Sequence, residues 1–380
     1  MRPVAVAGVG LTKVMEHWKK GLKDLFAEAA LKAMEDAGTE DIDSIYVANM
    51  LGAPLQGQLQ LGAMMASALG RSGISATAVE AASAGGGVAF HEGVKAVASG
   101  YSDCVLVGGV EKMSDGLPGE VYSAMAMAED QEYTAYTGIT KMGMNALVHR
   151  LYMDRFRVKP EDVAMFAVSS HENAVGSPHA QYPFRASVDR IMASPMEADP
   201  IHMLECAGVG DGAAVVVLMP AEKVNGGVEV AGTAVVTDAY YLSGRRDILT
   251  LDAVKGAATR AYGMAGVSPE DMDLLEVHDD TTIMGVLSLE DLGFAEKGRG
   301  AAFAAEGKTV RSGELPTNTF GGLKARGNPL GATGLYQICE IAMQLQGRAG
   351  DCQVEGARVG LAQCVGGLGS TCAVTILRRV

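Results

Sequence analysis

Aromatic residues are scarce in this chain: they make up 5% of 380 residues, with a single Trp. Small residues and methionine take their place, with 49 Gly and 21 Met. Such a core packs by close helix–sheet approach, and methionine fills irregular gaps. Basic charge is also short. Lys and Arg number 31 against 45 Asp and Glu, a formal net charge of −14. That balance excludes a nucleic-acid binder and a protein that lies on an anionic membrane. It also means that a polyanionic ligand needs a local basic or backbone-amide site. No apolar run approaches the length of a membrane span. No apolar leader with a cleavage site follows Met1, so a cytoplasmic location is expected. Cysteine pairs are missing too. The six cysteines, at 104, 206, 339, 352, 364 and 372, show neither CxxC spacing nor a ligand pattern. They read as reduced thiols, and no metal site is expected.

What is present is ample for a large buried core: 48% of residues are hydrophobic and 20% charged. Length alone suggests two domains or two closely packed halves. Strand-like and helix-like runs alternate throughout, which gives an α/β class. Val4–Val9 reads as a strand. Leu22, Leu25, Phe26, Ala29, Ala33 and Ala37 recur at helical spacing, and Gly38 stops that helix. Ile45–Ala48 and Ala76–Ala82 read as strands, the second running into Gly85-Gly86-Gly87 and a helix to about Ser99. Cys104–Val107 reads as a strand ending at Gly108-Gly109.

The order then repeats. Val228-Glu229-Val230-Ala231-Gly232 echoes Val4-Ala5-Val6-Ala7-Gly8. A helix around 250–265, followed by Gly266, echoes the one at 22–37. Asp273-Leu274-Leu275-Glu276-Val277 echoes Asp43-Ser44-Ile45-Tyr46-Val47, and strands around 357–363 and 371–377 echo 103–107 and 213–218. One unit of roughly 200 residues occurs twice, divided at about 224/225. The first copy carries an insertion from about 113 to 200, rich in Met, Tyr and His. A segment this long is functional more often than structureless, and it reads as a lid over a substrate. Within it, His171-Glu172 and Arg155-Phe156-Arg157 are candidates to touch a ligand. No phosphate-binding loop of the GxxxxGK[ST] type is present, and Gly8-Val9-Gly10 lacks the third glycine of a dinucleotide fingerprint.

Four short blocks carry the chemistry. Ser83 lies where a strand hands over to a helix, in Val79-Glu80-Ala81-Ala82-Ser83-Ala84-Gly85-Gly86-Gly87. A helix N-terminus favours negative charge and offers free N–H groups; the plain alternative is an N-cap serine. His278 follows a strand in Val277-His278-Asp279-Asp280-Thr281, at the edge where α/β sheets bind ligands. Asn328 stands in Gly327-Asn328-Pro329-Leu330-Gly331-Ala332-Thr333-Gly334, either capping the turn before Pro329 or donating an N–H to an oxyanion. Cys364 opens Cys364-Val365-Gly366-Gly367, just after the strand-like Val359–Ala362. Gly208-Val209-Gly210-Asp211-Gly212-Ala213-Ala214 reads as an architectural turn.

These blocks together resemble the thiolase superfamily, nearest to its sterol-carrier-protein-type and archaeal acetyl-CoA acetyltransferase-like members, and the resemblance spans residues 3 to 379. It implies a thiolase fold: duplicated βαβαβαββ halves in a five-layered αβαβα core. It also implies action on acyl-CoA thioesters by Claisen condensation or thiolytic cleavage, with coenzyme A carried by the substrate and no further cofactor. In the family, Ser83 is the position of a nucleophilic cysteine, and Asn328 that of the histidine of a Gly-His-Pro block. Cys364 is the position of the acid/base at the α-carbon. The resemblance makes Ser83 N–H and Gly366 N–H an oxyanion hole, and His278 a donor to the thioester oxygen. The block around His278 resembles a His-Asp-Cys-Phe motif, from which Asp280 and Thr281 depart. An amide is no base near neutral pH, and serine lacks the intrinsic nucleophilicity of cysteine. The His278/Asn328 pair is also similar to the His/Asn pair of initiating ketoacyl synthases, which keep a cysteine. A thiolase with altered nucleophile and base, a lyase working without an acyl-enzyme, and a non-catalytic acyl-CoA-binding subunit all remain open. A homodimer and a small zinc-finger/OB-fold partner are implied.

Overall fold

The computed structural model describes residues 2–224 and 226–380. Its strands are β1 (Val4–Leu11), β2 (Ser44–Ala48), β3 (Ser75–Val79), β4 (Val105–Glu111), β5 (Met196–Ala198), β6 (Ile201–His202), β7 (Gly212–Pro220), β8 (Val228–Thr237), β9 (Leu274–Glu276), β10 (Val359–Gly366) and β11 (Thr371–Arg379). Nine form one sheet in the order β3-β2-β4-β7-β1-β8-β11-β10-β9, while β5 and β6 make a separate ribbon. The two halves of the large sheet meet at β1 and β8, antiparallel over only two residue pairs, Ala5 with Glu229 and Val6 with Val228.

Helices divide into layers about that junction. The Leu22–Ala37 helix buries Leu22, Leu25, Phe26, Ala29, Ala30 and Ala33 against β1 and β7. This is the periodic face read from the sequence, and Gly38 ends the helix at φ +64°. The Asp252–Ala265 helix covers β8 and β11 in the same way, with Gly266 at φ +66°. Between the halves lie the Gly85–Ala98 and Thr333–Leu345 helices, which touch each other and both half-sheets. The layering is αβαβα, and the chain order repeats as β-α-β-α-β-α-β-β.

The second copy departs from that order at one place. Its third strand is reduced to a single bridge at Thr317, where Leu275 N–H donates to Pro316 O and Asn318 N–H donates to Leu275 O. Pro316 has no N–H to extend a ladder.

Three expected boundaries move. The strand read over Ala76–Ala82 ends at Val79, and the residues after it form the turn that holds Ser83. β4 does not stop at Gly108-Gly109 but runs on to Glu111. These glycines make room: a Cβ on Gly108 would lie 2.3 Å from Phe26 Cε2, and one on Gly109 2.6 Å from Ala332 Cα. Likewise Cys364 and Gly366 lie inside β10 rather than after it, because β10 pairs with β11 through Gly366. Among the described residues, no helix is long and apolar enough to cross a membrane.

Candidate functional site

Ser83 is buried in the turn between β3 and the Gly85–Ala98 helix. It is not the N-cap: that position is Ala84. The turn is tight. Ala82 holds φ +48°, unusual for a residue with a Cβ, and its N–H donates to Glu80 Oε1 at 2.6 Å. The one hydrogen-bonding contact of Ser83 Oγ among the described residues is Met50 Sδ, at 4.0 Å. Its carbonyl accepts from the Cys364 thiol at 3.0 Å.

Cys364 connects Ser83 to His278. Its Sγ lies 4.0 Å from His278 Nδ1, and burial pushes the thiol up to about 12, so it is a held proton near neutral pH. The next residue's N–H, from Val365, donates to His278 Nδ1 at 3.3 Å. A nitrogen that accepts carries no proton, so His278 presents Nε2–H. Burial lowers its pKa and keeps the ring neutral. His278 N–H is fixed by Gln363 Oε1 at 2.8 Å. Gly366 sits two residues along β10 against the Ala81 carbonyl, which a Cβ would approach to 2.5 Å. The structure therefore brings Ser83, His278, Cys364 and Gly366 into one buried cluster.

Asn328 lies apart from that cluster's hydrogen bonds, on the wall of a cavity of about 380 Å³. Its Oδ1 accepts from Thr333 Oγ1 at 2.7 Å, so the amide braces the start of the Thr333–Leu345 helix and leaves Nδ2–H unspent. Asp280 lines the same cavity and links it to the cluster, with Oδ2 3.8 Å from His278 Nε2. Lys141 Nζ approaches Asp280 Oδ2 to 2.5 Å. Burial works against that carboxylate, but Lys141 and His278 outweigh it and hold the pKa far below the usual carboxylate range. The insertion supplies much of the remaining wall, including Met113, Tyr122, Met142, His171 and Phe184. His171 Nδ1–H donates to Phe184 O at 3.1 Å. Its neighbour Glu172 instead faces outward and pairs with Arg185, and Arg155 pairs with Asp247.

Sequence reasoning missed Lys141, Lys324 and Glu111. Lys141 and Lys324 are nearly buried, and nothing in their local sequence separates them from surface lysines. Glu111, at the end of β4, accepts from Met50 N–H, Leu51 N–H, Gly331 N–H and the Asn49 amide. It thereby ties the loop that touches Ser83 to the loop that follows Asn328. Burial pushes its carboxyl up to about 7 against those donors. Asp211 has the architectural role read for it, accepting from the N–H groups of His17, Met113 and Ser114.

The duplicated αβαβα core, with a polar cluster where the two central helices meet the sheets, defines a thiolase-type fold class. A thiolase N-terminal domain matches residues 4–222, and a thiolase C-terminal domain-like unit matches residues 234–379. The chain belongs to the thiolase family. It is 44% identical over 385 residues to acetyl-CoA acetyltransferase of Methanothermobacter thermautotrophicus, covering 100% of both chains. It is 31% identical to sterol carrier protein 2 of Homo sapiens, covering all of this chain and 72% of that protein. The solved Ltp2-ChsH2(DUF35) aldolase shares the fold, with a TM-score of 0.85 at 22% identity over 99% of this chain and 98% of that one.

Proposed function

We propose that this protein is a lyase that breaks the Cα–Cβ bond of a β-hydroxyacyl-CoA thioester without forming an acyl-enzyme. The isolation of Ser83 Oγ carries the proposal. A serine nucleophile needs an adjacent base, and the nearest hydrogen-bonding contact of this hydroxyl is a thioether 4.0 Å away. Cleavage of a β-ketoacyl thioester through an acyl-enzyme begins with a protein nucleophile adding to its β-carbonyl, so that route fails at its first step. A β-hydroxyacyl thioester needs only loss of the hydroxyl proton and a place for the enolate.

Asp280, ionised on the cavity wall, takes the hydroxyl proton. The Cα–Cβ electron pair moves into the thioester enolate as the β-carbon becomes an aldehyde or ketone. His278 Nε2–H and Asn328 Nδ2–H are the donors for the enolate oxygen. The Cys364 thiol gives its proton to the α-carbon. The resulting thiolate regains, through solvent, the proton that Asp280 took up. In this reading Ser83 and Asn328 stand at the family's nucleophile and base positions, and Ser83 N–H and Gly366 N–H line the acyl group. The reading includes two halves divided at 224/225 with the 113–200 segment as lid. A homodimer and a small zinc-finger/OB-fold partner follow from the family resemblance, and a cytoplasmic setting from the unpaired cysteines.

Incubation with a panel of 3-hydroxyacyl-CoA thioesters is expected to release a shortened acyl-CoA and the matching carbonyl compound. The intact mass of the protein should not change. S83A should keep the rate within a few-fold, while H278A should lower it by roughly 10²-fold or more, as for loss of an oxyanion donor. A stoichiometric acyl adduct on Ser83 sinks the proposal. Binding without cleavage across the panel points instead to an acyl-CoA-binding subunit.

A further inference from the structure

The cavity holds a second charged group that the cleavage step does not use. Lys324, on the Gly322–Arg326 helix, is only 3% exposed and lines the cavity wall. Among the described residues it joins no ion pair and donates no side-chain hydrogen bond; the Tyr182 ring centroid is 5.9 Å from Nζ. The acids around it are engaged elsewhere. Asp279 accepts from Leu323 N–H at 2.6 Å and from the Ser170 hydroxyl at 3.0 Å. Glu205 accepts from His202 N–H and the Thr282 hydroxyl, each at 2.8 Å. Asp280 is paired with Lys141, and Glu197, also on the wall, is exposed. The rest of the nearby wall is largely apolar, with Met113, Met125, Met142, Phe184 and Leu204.

A buried ammonium without a hydrogen-bonded anion carries a desolvation cost that the acids nearby, each engaged elsewhere, offset only in part. Burial shows itself in a pKa pushed down to about 8, which still leaves the group mostly charged at neutral pH. An apolar chain end would leave this charge unpaired, and a hydroxyl would supply an acceptor without the opposite charge. A carboxylate supplies both.

We infer that the acyl group taken by this cavity ends in a carboxylate, and that Lys324 is the residue that selects it. The inference rests on the acyl-CoA reading above and narrows its substrate class to ω-carboxyacyl thioesters. The competing source of negative charge is the phosphate of coenzyme A itself, and the two sources respond differently to the same variant.

Calorimetric titration of the unmodified protein with succinyl-, glutaryl- and adipyl-CoA, against butanoyl-, pentanoyl- and hexanoyl-CoA, separates the outcomes. At least one carboxylated thioester is expected to bind roughly ten- to a hundred-fold tighter than its neutral counterpart, the range for a hydrogen bond to a charged group. K324M should abolish that preference while leaving the neutral thioesters and free coenzyme A within a few-fold. K324R should retain part of it. Equal affinity of the unmodified protein for charged and neutral thioesters overturns the inference and leaves the acyl-CoA reading standing. K324M weakening both series and free coenzyme A alike assigns Lys324 to phosphate and overturns it too. No binding of any thioester removes the acyl-CoA reading itself. The first comparison needs no variant, so a misfolded K324M cannot shelter the inference.

Discussion

At the hydroxyl of Ser83 the difference between two chemistries comes down to a missing proton acceptor. Asn328 has committed its Oδ1 to Thr333 and offers only N–H groups. The Cys364 thiol, with its pKa pushed up to about 12, is a donor rather than a base. Replacing Ser83 by Cys and Asn328 by His together should therefore create thiolytic cleavage of acetoacetyl-CoA, with Cys364 as acid. Each single replacement should do far less, because a nucleophile and its base act as a unit. The expected gain is large, since losing such a group typically costs on the order of 10⁴ to 10⁶ in rate. If the double variant folds, binds acyl-CoA and shows no thiolysis above the parent, the pocket is shaped for a different reaction from the family's. Ser83, His278, Cys364 and Gly366 entered the candidate site through the resemblance of the blocks around them; their apolar and glycine-rich neighbours alone read equally well as a plain cap or a buried thiol. Asp280 was legible only as a departure from a motif. Lys141 and Lys324 were not, because their meaning comes from burial, and burial of a lysine is set by elements distant in the chain.

At the scale of elements, the two central helices hold the site by how closely they approach. A Cβ on Gly334 would lie 2.4 Å from Gly87 N and 3.1 Å from Cys364 Sγ. The helix pair and the thiol thus share one contact. G334A should cost about 1–3 kcal/mol through overpacking and lower the cleavage rate by displacing Cys364. Gly263 is the control: it lies in the Asp252–Ala265 helix with nothing within 4 Å of an added Cβ. G263A should be neutral or stabilise by up to about 1 kcal/mol, from helix propensity alone. Thermal melts of the two variants check the pair, and equal melting temperatures would show that the central helices have slack. The helices and most strands could be read from periodicity and from glycine stops such as Gly38 and Gly266. The ends of β4 and β10 could not. Gly108, Gly109 and Gly366 look like breakers in sequence, yet each lies inside a strand where another residue presses on the backbone.

For the whole molecule, burial of titratable groups sets how stability responds to pH, and it pulls in two directions. Burial pushes His149 and His171 down to about 4 and His179 down to about 3. The stability these neutral rings contribute is present above their ordinary value of 6.5 and is lost as pH falls through those lower values. Burial pushes Glu111, Asp279 and Glu340 up to about 7. Their contribution is present below the ordinary carboxylate range and is lost as pH rises through about 7. Across mildly acidic pH the two sets oppose each other, so the parent's melting curve should change little there. A single neutral replacement exposes one side of the balance. Asp279 is suited to this because an amide can reproduce its bonds: Oδ1 would still accept from Leu323 N–H, and Nδ2 would donate to the Ser170 oxygen in place of the present contact. Asp279 has an ordinary pKa of 3.8, raised by burial to about 7 against the Leu323 and Ser170 bonds. The parent therefore loses stability at this residue as pH climbs between those two values, and D279N does not. The melting temperature of D279N relative to the parent should rise steadily from about pH 4 to about pH 7 and level off above it, by roughly 2 °C for each kcal/mol at stake. The histidines are common to both proteins and cancel in the difference. A difference that is flat with pH, or that falls, would mean that Asp279 is already ionised in the folded protein and draws its compensation from its hydrogen bonds and from Arg326.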